Sequence, residues 1–397
     1  MTNPEEDWLV TSTLVPAFRA LPPGTEDLRV EVRAFIAADR AEFGWTPRVD
    51  SWIAAWDPEF SRRLGAKGWL GMTTPEQYGG HGRSHVERFV VIEELLAAGA
   101  PIAAHWVADR QAGPSLLKYG NEIQRQRYLP AIARGECYFA IGMSEPESGS
   151  DLAGVRTRGV RVDGGWELTG TKVWTSGAHH AHAFVVLART AELDPSRRHE
   201  GMSQFVVPLD SPNLDIRPIK LLTGAHHFNE VVLSKVFVPD DMVLGNIGDG
   251  WEQVTSELGF ERSGPERILS TQPLLEAVAS SFKDTSDDVT PWAATDLGDL
   301  ISRLTALRQL SASVAAALSR GDSVGVAAAV VKDLGTRYEN AVVDIAGQSS
   351  SAQPTVDGDD KLSRLMTEGI LHAPGFTLRG GTNEILSGVV ARGLGLR

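Results

Sequence analysis

The sequence predicts an α+β chain in three parts: an N-terminal helical domain, a small central β-barrel or sandwich, and a C-terminal four-helix bundle. Three observations predict it. Apolar residues recur with a period near four over roughly the first third of the chain, the period falls to near two after Ala140, and the helical period resumes from Trp251. With 397 residues the chain exceeds one typical core. The boundaries implied by the changes of period are 1–138, 139–243 and 244–397.

In chain order, residues 1–25 carry several prolines and little periodicity and read as a surface lead-in. From Glu26 a helix is expected, because Leu28, Val32, Phe35 and Ile36 return on one face. Trp45, Trp52 and Trp56 crowd the next stretch, which suits packing between helices or the wall of an apolar pocket. Residues 60–82 read as a helix and a glycine-broken turn, 86–98 as a buried helix, and 112–135 as two helical pieces around Tyr119-Gly-Asn121. Alternation then marks a hairpin over 159–170 about Asp163-Gly164-Gly165, and strands at 183–187, 203–207, 214–219 and 230–238. In the last part, Leu300, Leu304, Leu307 and Val314 form one helical stripe. Val324, Ala328, Val331, Tyr338, Val342 and Ile345 form another, as in an antiparallel bundle. The polar stretches 281–295 and 347–360 are expected to be loops.

Composition narrows the function. The formal charge of −13 disfavours nucleic acid or an anionic membrane surface as partner. The acidic start, Asn3 to Asp7, is the reverse of a signal peptide, and no run approaches the ~20 apolar residues of a membrane span, so a cytoplasmic protein is expected. The single cysteine, Cys137, sits among Tyr138, Phe139 and Ala140 and reads as a buried thiol in a reducing compartment.

Two stretches carry chemistry. Residues 141–151, Ile-Gly-Met-Ser-Glu-Pro-Glu-Ser-Gly-Ser-Asp, form a hydroxyl- and glycine-rich loop suited to a flat, anionic cofactor. Residues 170–177, Gly-Thr-Lys-Val-Trp-Thr-Ser-Gly, put an indole beside two hydroxyls, as a strand that could cover one face of a heteroaromatic ring. Each alone is also compatible with a plain turn and a core tryptophan. Their order and separation resemble the acyl-CoA dehydrogenase family, where such a Ser-Glu-Pro-x-x-Gly-Ser-Asp loop and Lys-x-Trp strand hold the isoalloxazine of FAD. The resemblance covers nearly the whole chain and implies the family's fold and a homo- or hetero-tetramer.

By that resemblance, Ile141, Met143, Ser144, Gly149 and Ser150 contact the flavin, with Ser150 also near the substrate's pantetheine arm. Trp174, Thr175 and Ser176 cover the ring, and Thr382, Asn383 and Glu384 serve the cofactor from the C-terminal end. Desaturating an acyl thioester needs a base for the α-proton, and a carboxylate in a dry pocket suits that task. Most family members place a glutamate before a Gly-Thr near the C-terminus, but Arg379-Gly380-Gly381-Thr382 puts Gly380 there. A minority place the base earlier in a Glu-Arg pair, which matches Glu261-Arg262, so Glu261 is the expected base. The competing reading is a surface helical glutamate, and Glu384 is a second candidate carboxylate. Phe260, Arg262 and Gly381 would line the acyl-CoA path.

The family's Arg-x-x-Phe-Gly segment and Gly-Gly-x-Gly turn, which grip the FAD diphosphate, are not matched by 282–295 or 346–351. The resemblance therefore implies a related, non-identical subunit that supplies the missing half. His179, His180 and His182, read as one strand, and His226 and His227 complete no metal pattern, so no metal is expected. Gly245-x-x-Gly-x-Gly250 has the wrong order for a Rossmann site. The reading is an FAD-dependent acyl-CoA dehydrogenase passing electrons to an electron-transfer flavoprotein-type carrier. The alternatives are a non-catalytic partner subunit and a flavin oxidase on the same scaffold.

Overall fold

A computed structural model describes residues 14–17, 20–284, 291–349, 352–356 and 360–396. The acidic start and part of each polar stretch expected as a loop lie outside the described residues.

Helices come first. Helix α1 (Thr25–Phe43) buries Val32 and Ile36 and ends at Gly44, whose left-handed φ of 70° lets its N–H close on Arg40 O. Short α2 (Ser51–Ala54) precedes α3 (Pro58–Ala66), which Asp57 caps and a proline opens. Helix α4 (His85–Ala97) starts with a Ser84–Glu87 capping box and is buried almost all round. Its two buried acids are tolerated because they are paired: Glu93 with Arg29 and Arg308, Glu94 with Arg29 and Arg33. Helix α5 (Ala103–Val107) runs through a π-turn (Ala108–Ala112) into α6 (Gly113–Tyr119), and α7 (Glu122–Ala133) follows a second capping box, Asn121–Gln124.

The sheet comprises β1 (Phe139–Gly142), β2 (Arg158–Val162), β3 (Gly165–Lys172), β4 (Ala183–Arg189), β5 (Met202–Pro208), β6 (Leu214–Lys220), β7 (His226–Pro239) and β8 (Val243–Leu244). The order is β6-β7-β3-β2-β4-β5-β8, with β1 parallel to β4. Gly164, at φ 71°, makes the β2–β3 turn that the Asp-Gly-Gly signal predicts. Strand β4 is buried at every residue, and Phe184, Phe205, Leu168, Val231 and Val236 centre the core.

Helices return with α8 (Gly250–Arg262), α9 (Gln272–Asp284), α10 (Pro291–Ser319), α11 (Gly325–Ser349), α12 (Lys361–Phe376) and α13 (Asn383–Gly393). Leu300, Leu307 and Val314 of α10 and Val331, Tyr338 and Val342 of α11 are buried as the stripes predict. Helix α11 packs against α10, α12 and α13. Among the described residues no helix is long and apolar enough to cross a membrane.

These elements assort into two compact units interleaved in sequence. One takes the chain up to Asp50, Ser84–Gly99 and everything from Gly259, and the other takes Ser51–Arg83 and Ala100–Leu258. In the first unit a single node ties distant segments together. Asp50, 1% exposed and at a left-handed φ of 57°, accepts from Arg379 Nη1 at 2.8 Å and sits 3.0 Å from His372 Nδ1. Burial opposes ionisation of its carboxyl, but Arg379 and His372 outweigh burial and hold it well below the usual carboxylate range. A depressed folded value adds stability that is present above the unfolded carboxylate value of about 4 and is lost as pH falls below it. Thermal melts should show the wild-type advantage over Asp50→Asn at neutral pH shrinking steadily on acidification below about pH 4; a constant gap would contradict this.

Five sequence expectations change. Residues 281–284 and 291–295 are helical rather than loop, since α9 runs to Asp284 and α10 opens on Pro291, a favoured first helical residue. Residues 347–349 likewise prolong α11. Ile141 and Gly142 belong to β1, paired with Val185 and Val186, so the loop proper starts at Met143. Trp174 is not in a strand: β3 stops at Lys172, and the chain turns at Trp174 and Gly177, both at positive φ. That turn also carries His179 and His180, with His182 in the bend beyond, so those histidines are not in a strand either. Without the alternation of a strand, His179 lies 4.0 Å from His180 and 3.9 Å from His226, ring to ring. Burial first, then these neighbours, lower His179 to about 4. Among the described residues no group of three or more histidine, cysteine or acidic side chains could hold a metal ion.

Candidate active site

In the sheet unit, one buried ion pair shapes the loop after β1. Lys172, fully buried at the end of β3, donates to Glu145 Oε1 at 2.8 Å and to Met143 O at 3.1 Å. Glu145 also accepts from Arg156 N at 2.7 Å and Thr157 N at 2.9 Å. Burial opposes ionisation of the Glu145 carboxyl, but Lys172 and these amides together keep it below its ordinary value. Paired hydrogen bonds between the Glu145 and Ser148 backbones close a tight turn over Pro146, and Val173 N donates to Ser144 O at 2.9 Å. The loop is thereby stitched to the end of β3.

The consequence is an exposed polar rim beside an exposed indole. Ser144 is half-buried, while Gly149 and Ser150 are exposed, with open space at Gly149. Met143 turns the other way, onto Val155, Leu187, Met202 and Val254. Trp174 holds φ at 58°, rare for a bulky residue, and is 55% exposed, with an edge contact to Phe228. A strained backbone that displays a large ring points to a role in binding. Behind it Thr175 is fully buried, and among the described residues its Oγ1 has no hydrogen-bond partner. Ser176 is half-buried, and Gly177 admits no side chain because Trp56 would lie 2.7 Å from a Cβ. Exposed hydroxyls, an open glycine, a displayed indole and an orphan hydroxyl fit the ring portion of a flat, polar-edged cofactor such as FAD. The described residues at the end of α11, Ala346–Ser349, offer no glycine turn for a diphosphate.

In the helical unit, Glu261 lies in the last turn of α8. Its side chain is only 13% exposed, so it is not the surface glutamate of the competing reading. Its partner is Arg267 rather than the neighbouring Arg262: Nη2 of Arg267 donates to Glu261 Oε1 at 2.5 Å. Arg262, half-buried, instead donates through Nε to Gly380 O at 2.7 Å. Gly380, at φ 70°, leaves room for the pair, since a Cβ there would meet Arg267 Nη2 at 2.9 Å and Glu261 Oε1 at 3.0 Å. Gly381, at φ 95°, is similarly close to Arg262. Lys332, wholly buried on α11, donates to Gly381 O, Thr377 O and Asn383 Oδ1 and so fixes this turn. Burial first, then Arg267, lowers Lys332 to about 7.

The remaining candidates divide. Thr382 caps α13, Glu384 is exposed in its first turn, and Asn383 faces inward to Lys332 and Thr336. Phe260 is half-buried, its ring 6.0 Å from that of His85. Sequence reading gave no role to Glu145, Lys172, Arg267 or Lys332. Two of them stand inside the quoted motifs, and a lysine in an otherwise alternating strand was the available signal.

Family models match almost end to end: "Acyl-CoA dehydrogenase, N-terminal domain" over residues 23–136, the middle domain over 140–236 and the C-terminal domain over 248–395. The chain belongs to the acyl-CoA dehydrogenase family. It is thus one of a family of oxidoreductases. Acyl-CoA dehydrogenase FadE34 of Mycobacterium tuberculosis is 36% identical over 91% of this chain, which spans only 50% of that protein. FadE29 of the same organism is 33% identical over 83% of this chain and 86% of its own length. Among solved structures, the Tcur3481-Tcur3483 steroid ACAD superposes with a TM-score of 0.82 at 31% identity, over 95% of this chain and 98% of that one. The ChsE4-ChsE5 complex from Mycobacterium tuberculosis gives 0.78 at 27% identity, again over 95% and 98%. The carboxylate lying against Gly380 is that of Glu261, whose Oε1 would be 3.0 Å from a Cβ at that position.

Proposed function

We propose that the chain carries out FAD-dependent α,β-dehydrogenation of an acyl-CoA thioester, with Glu261 removing the α-proton. The observation that carries this reading is the Glu261 carboxylate, largely shielded from water and lying where a side chain on Gly380 would begin. FAD, when bound, would supply the acceptor for the β-hydride. Ser144, Gly149 and Ser150 would meet its polar edge and Trp174 its face, with Ile141, Met143, Thr175 and Ser176 shaping the seat behind them. Phe260, Arg262 and Gly381 would line the acyl-CoA path beside Glu261, and Thr382, Asn383 and Glu384 would serve the cofactor from the start of α13. Electrons would leave to a separate electron-transfer flavoprotein-type carrier.

The relatives support a reading of the acyl group and of the assembly. The likeness to the Tcur3481-Tcur3483 steroid ACAD at 31% identity supports a bulky, steroid-derived acyl group. Tcur3481-Tcur3483 and ChsE4-ChsE5 each pair two different names, which supports assembly with a related, non-identical subunit carrying the diphosphate-binding groups absent from 346–349. Purified alone, the chain should hold FAD substoichiometrically and fill on co-expression with such a subunit; full occupancy alone would overturn the partner requirement. Anaerobic titration of the flavin-loaded protein with linear, branched and steroid side-chain acyl-CoA thioesters tests the activity. Bleaching by one class supports it and names the substrate. A loaded flavin that none of them bleaches would point to a non-catalytic subunit.

A further inference from the structure

Glu261 and Arg267 are held to each other by more than a chance ion pair. Arg267 follows the helix break at Pro265 and sits in the 3-10 turn Pro265–Arg267, its N–H bonded to Gly264 O. Its side chain is 1% exposed, and it grips Glu261 twice: Nη2 on the carboxylate Oε1 at 2.5 Å and Nε on the main-chain oxygen at 3.3 Å. Two glycines let neighbouring backbone close on this guanidinium and its own main chain. A Cβ on Gly335 of α11 would come within 2.1 Å of Arg267 O, and one on Gly380 within 2.9 Å of Nη2. The arginine is thus enclosed, and it holds the glutamate at two points. Of the two carboxylate oxygens, it is Oε1 that takes the Arg267 hydrogen bond.

We infer that Arg267 is a positioning residue for the reaction, fixing the Glu261 carboxylate by one oxygen so that the other is presented to the substrate's α-proton. This rests on the reading of Glu261 as base and adds the group that aims it. A purely structural arginine would account for burial but not for a grip on both the backbone and the carboxylate of the same residue. A buried cation also needs an anion, so loss of stability alone does not distinguish the two roles. The rate does. Proton transfer depends steeply on placement, and a displacement of about 1 Å costs on the order of 100-fold.

The test uses the full chain with its flavin and any co-purifying subunit, and the acyl-CoA thioester that bleaches the wild type fastest. Arg267→Lys keeps the charge but not the two-point grip, and should lower kcat about tenfold with KM changed less than about threefold. Arg267→Met should lower kcat about 100-fold, and guanidinium chloride at low millimolar concentration should restore part of that loss while leaving the wild type unchanged. Should the methionine variant not fold, the lysine variant decides alone: a wild-type kcat in Arg267→Lys overturns the inference, as does a loss confined to KM. Glu261→Gln, run in parallel, separates the two claims. Turnover surviving in it removes the reading of the base itself, whereas an inactive Glu261→Gln beside a fully active Arg267→Lys removes only the positioning role.

Discussion

Glu261→Gln should leave acyl-CoA binding within a few-fold of the wild type while flavin bleaching slows by about 10²–10⁴-fold, the usual worth of a positioned general base. Glutamine keeps the size and an acceptor oxygen for Arg267 Nη2, so the turn around Gly380 has no reason to move. What it lacks is the capacity to take a proton. The variant is therefore expected to be folded, yellow and nearly silent, and stopped-flow absorbance under anaerobic conditions reads the difference. Wild-type bleaching would move the base elsewhere, with Glu384 the remaining candidate in the sequence, although it is exposed.

Lys172→Met should have the largest effect on stability. It leaves the Glu145 carboxylate buried, with Arg156 N and Thr157 N as partners but no cation. Stranding one member of a buried pair costs about 3–5 kcal/mol, a large part of the 5–15 kcal/mol that typically separates folded from unfolded. The loss falls on the loop that Lys172 also holds through Met143 O, so cofactor retention should drop further than global stability does. Removing the charge from both partners, as in Glu145→Gln with Lys172→Met, should recover about half of the stability. Denaturant melts and flavin content together check this, and a lysine variant of wild-type stability would show that Glu145 and Lys172 do not organise the loop.

The order of helices, sheet and helices was legible because burial imposes a period of 3.6 or 2 on the apolar residues, and Val32, Ile36, Val331 and Tyr338 lie inside as their spacing predicts. The loop at 143–151 and the tryptophan after it were legible as a motif. What holds them was not, because Lys172 and Glu145 are 27 residues apart and a buried lysine carries no periodic mark. Distance hid the Asp50 node too: its partners stand 322 and 329 residues along the chain. Arg267 was hidden for a local reason, since Pro265 breaks the helix and brings residue 267 back onto 261, where a continuous helix would have paired 261 with 265. The left-handed turn at Trp174 was misread as strand because a positive φ at tryptophan is contrary to its preference, and such exceptions gather where a protein binds.

Hydrogen exchange at the α-carbon tests the account most directly. With the electron acceptor withheld and deuterium oxide as solvent, the wild-type protein should wash deuterium into the α-position of its acyl-CoA, read by mass spectrometry, and Glu261→Gln should not. Exchange at the wild-type rate in Glu261→Gln would contradict the assignment of Glu261 as the group that takes the proton.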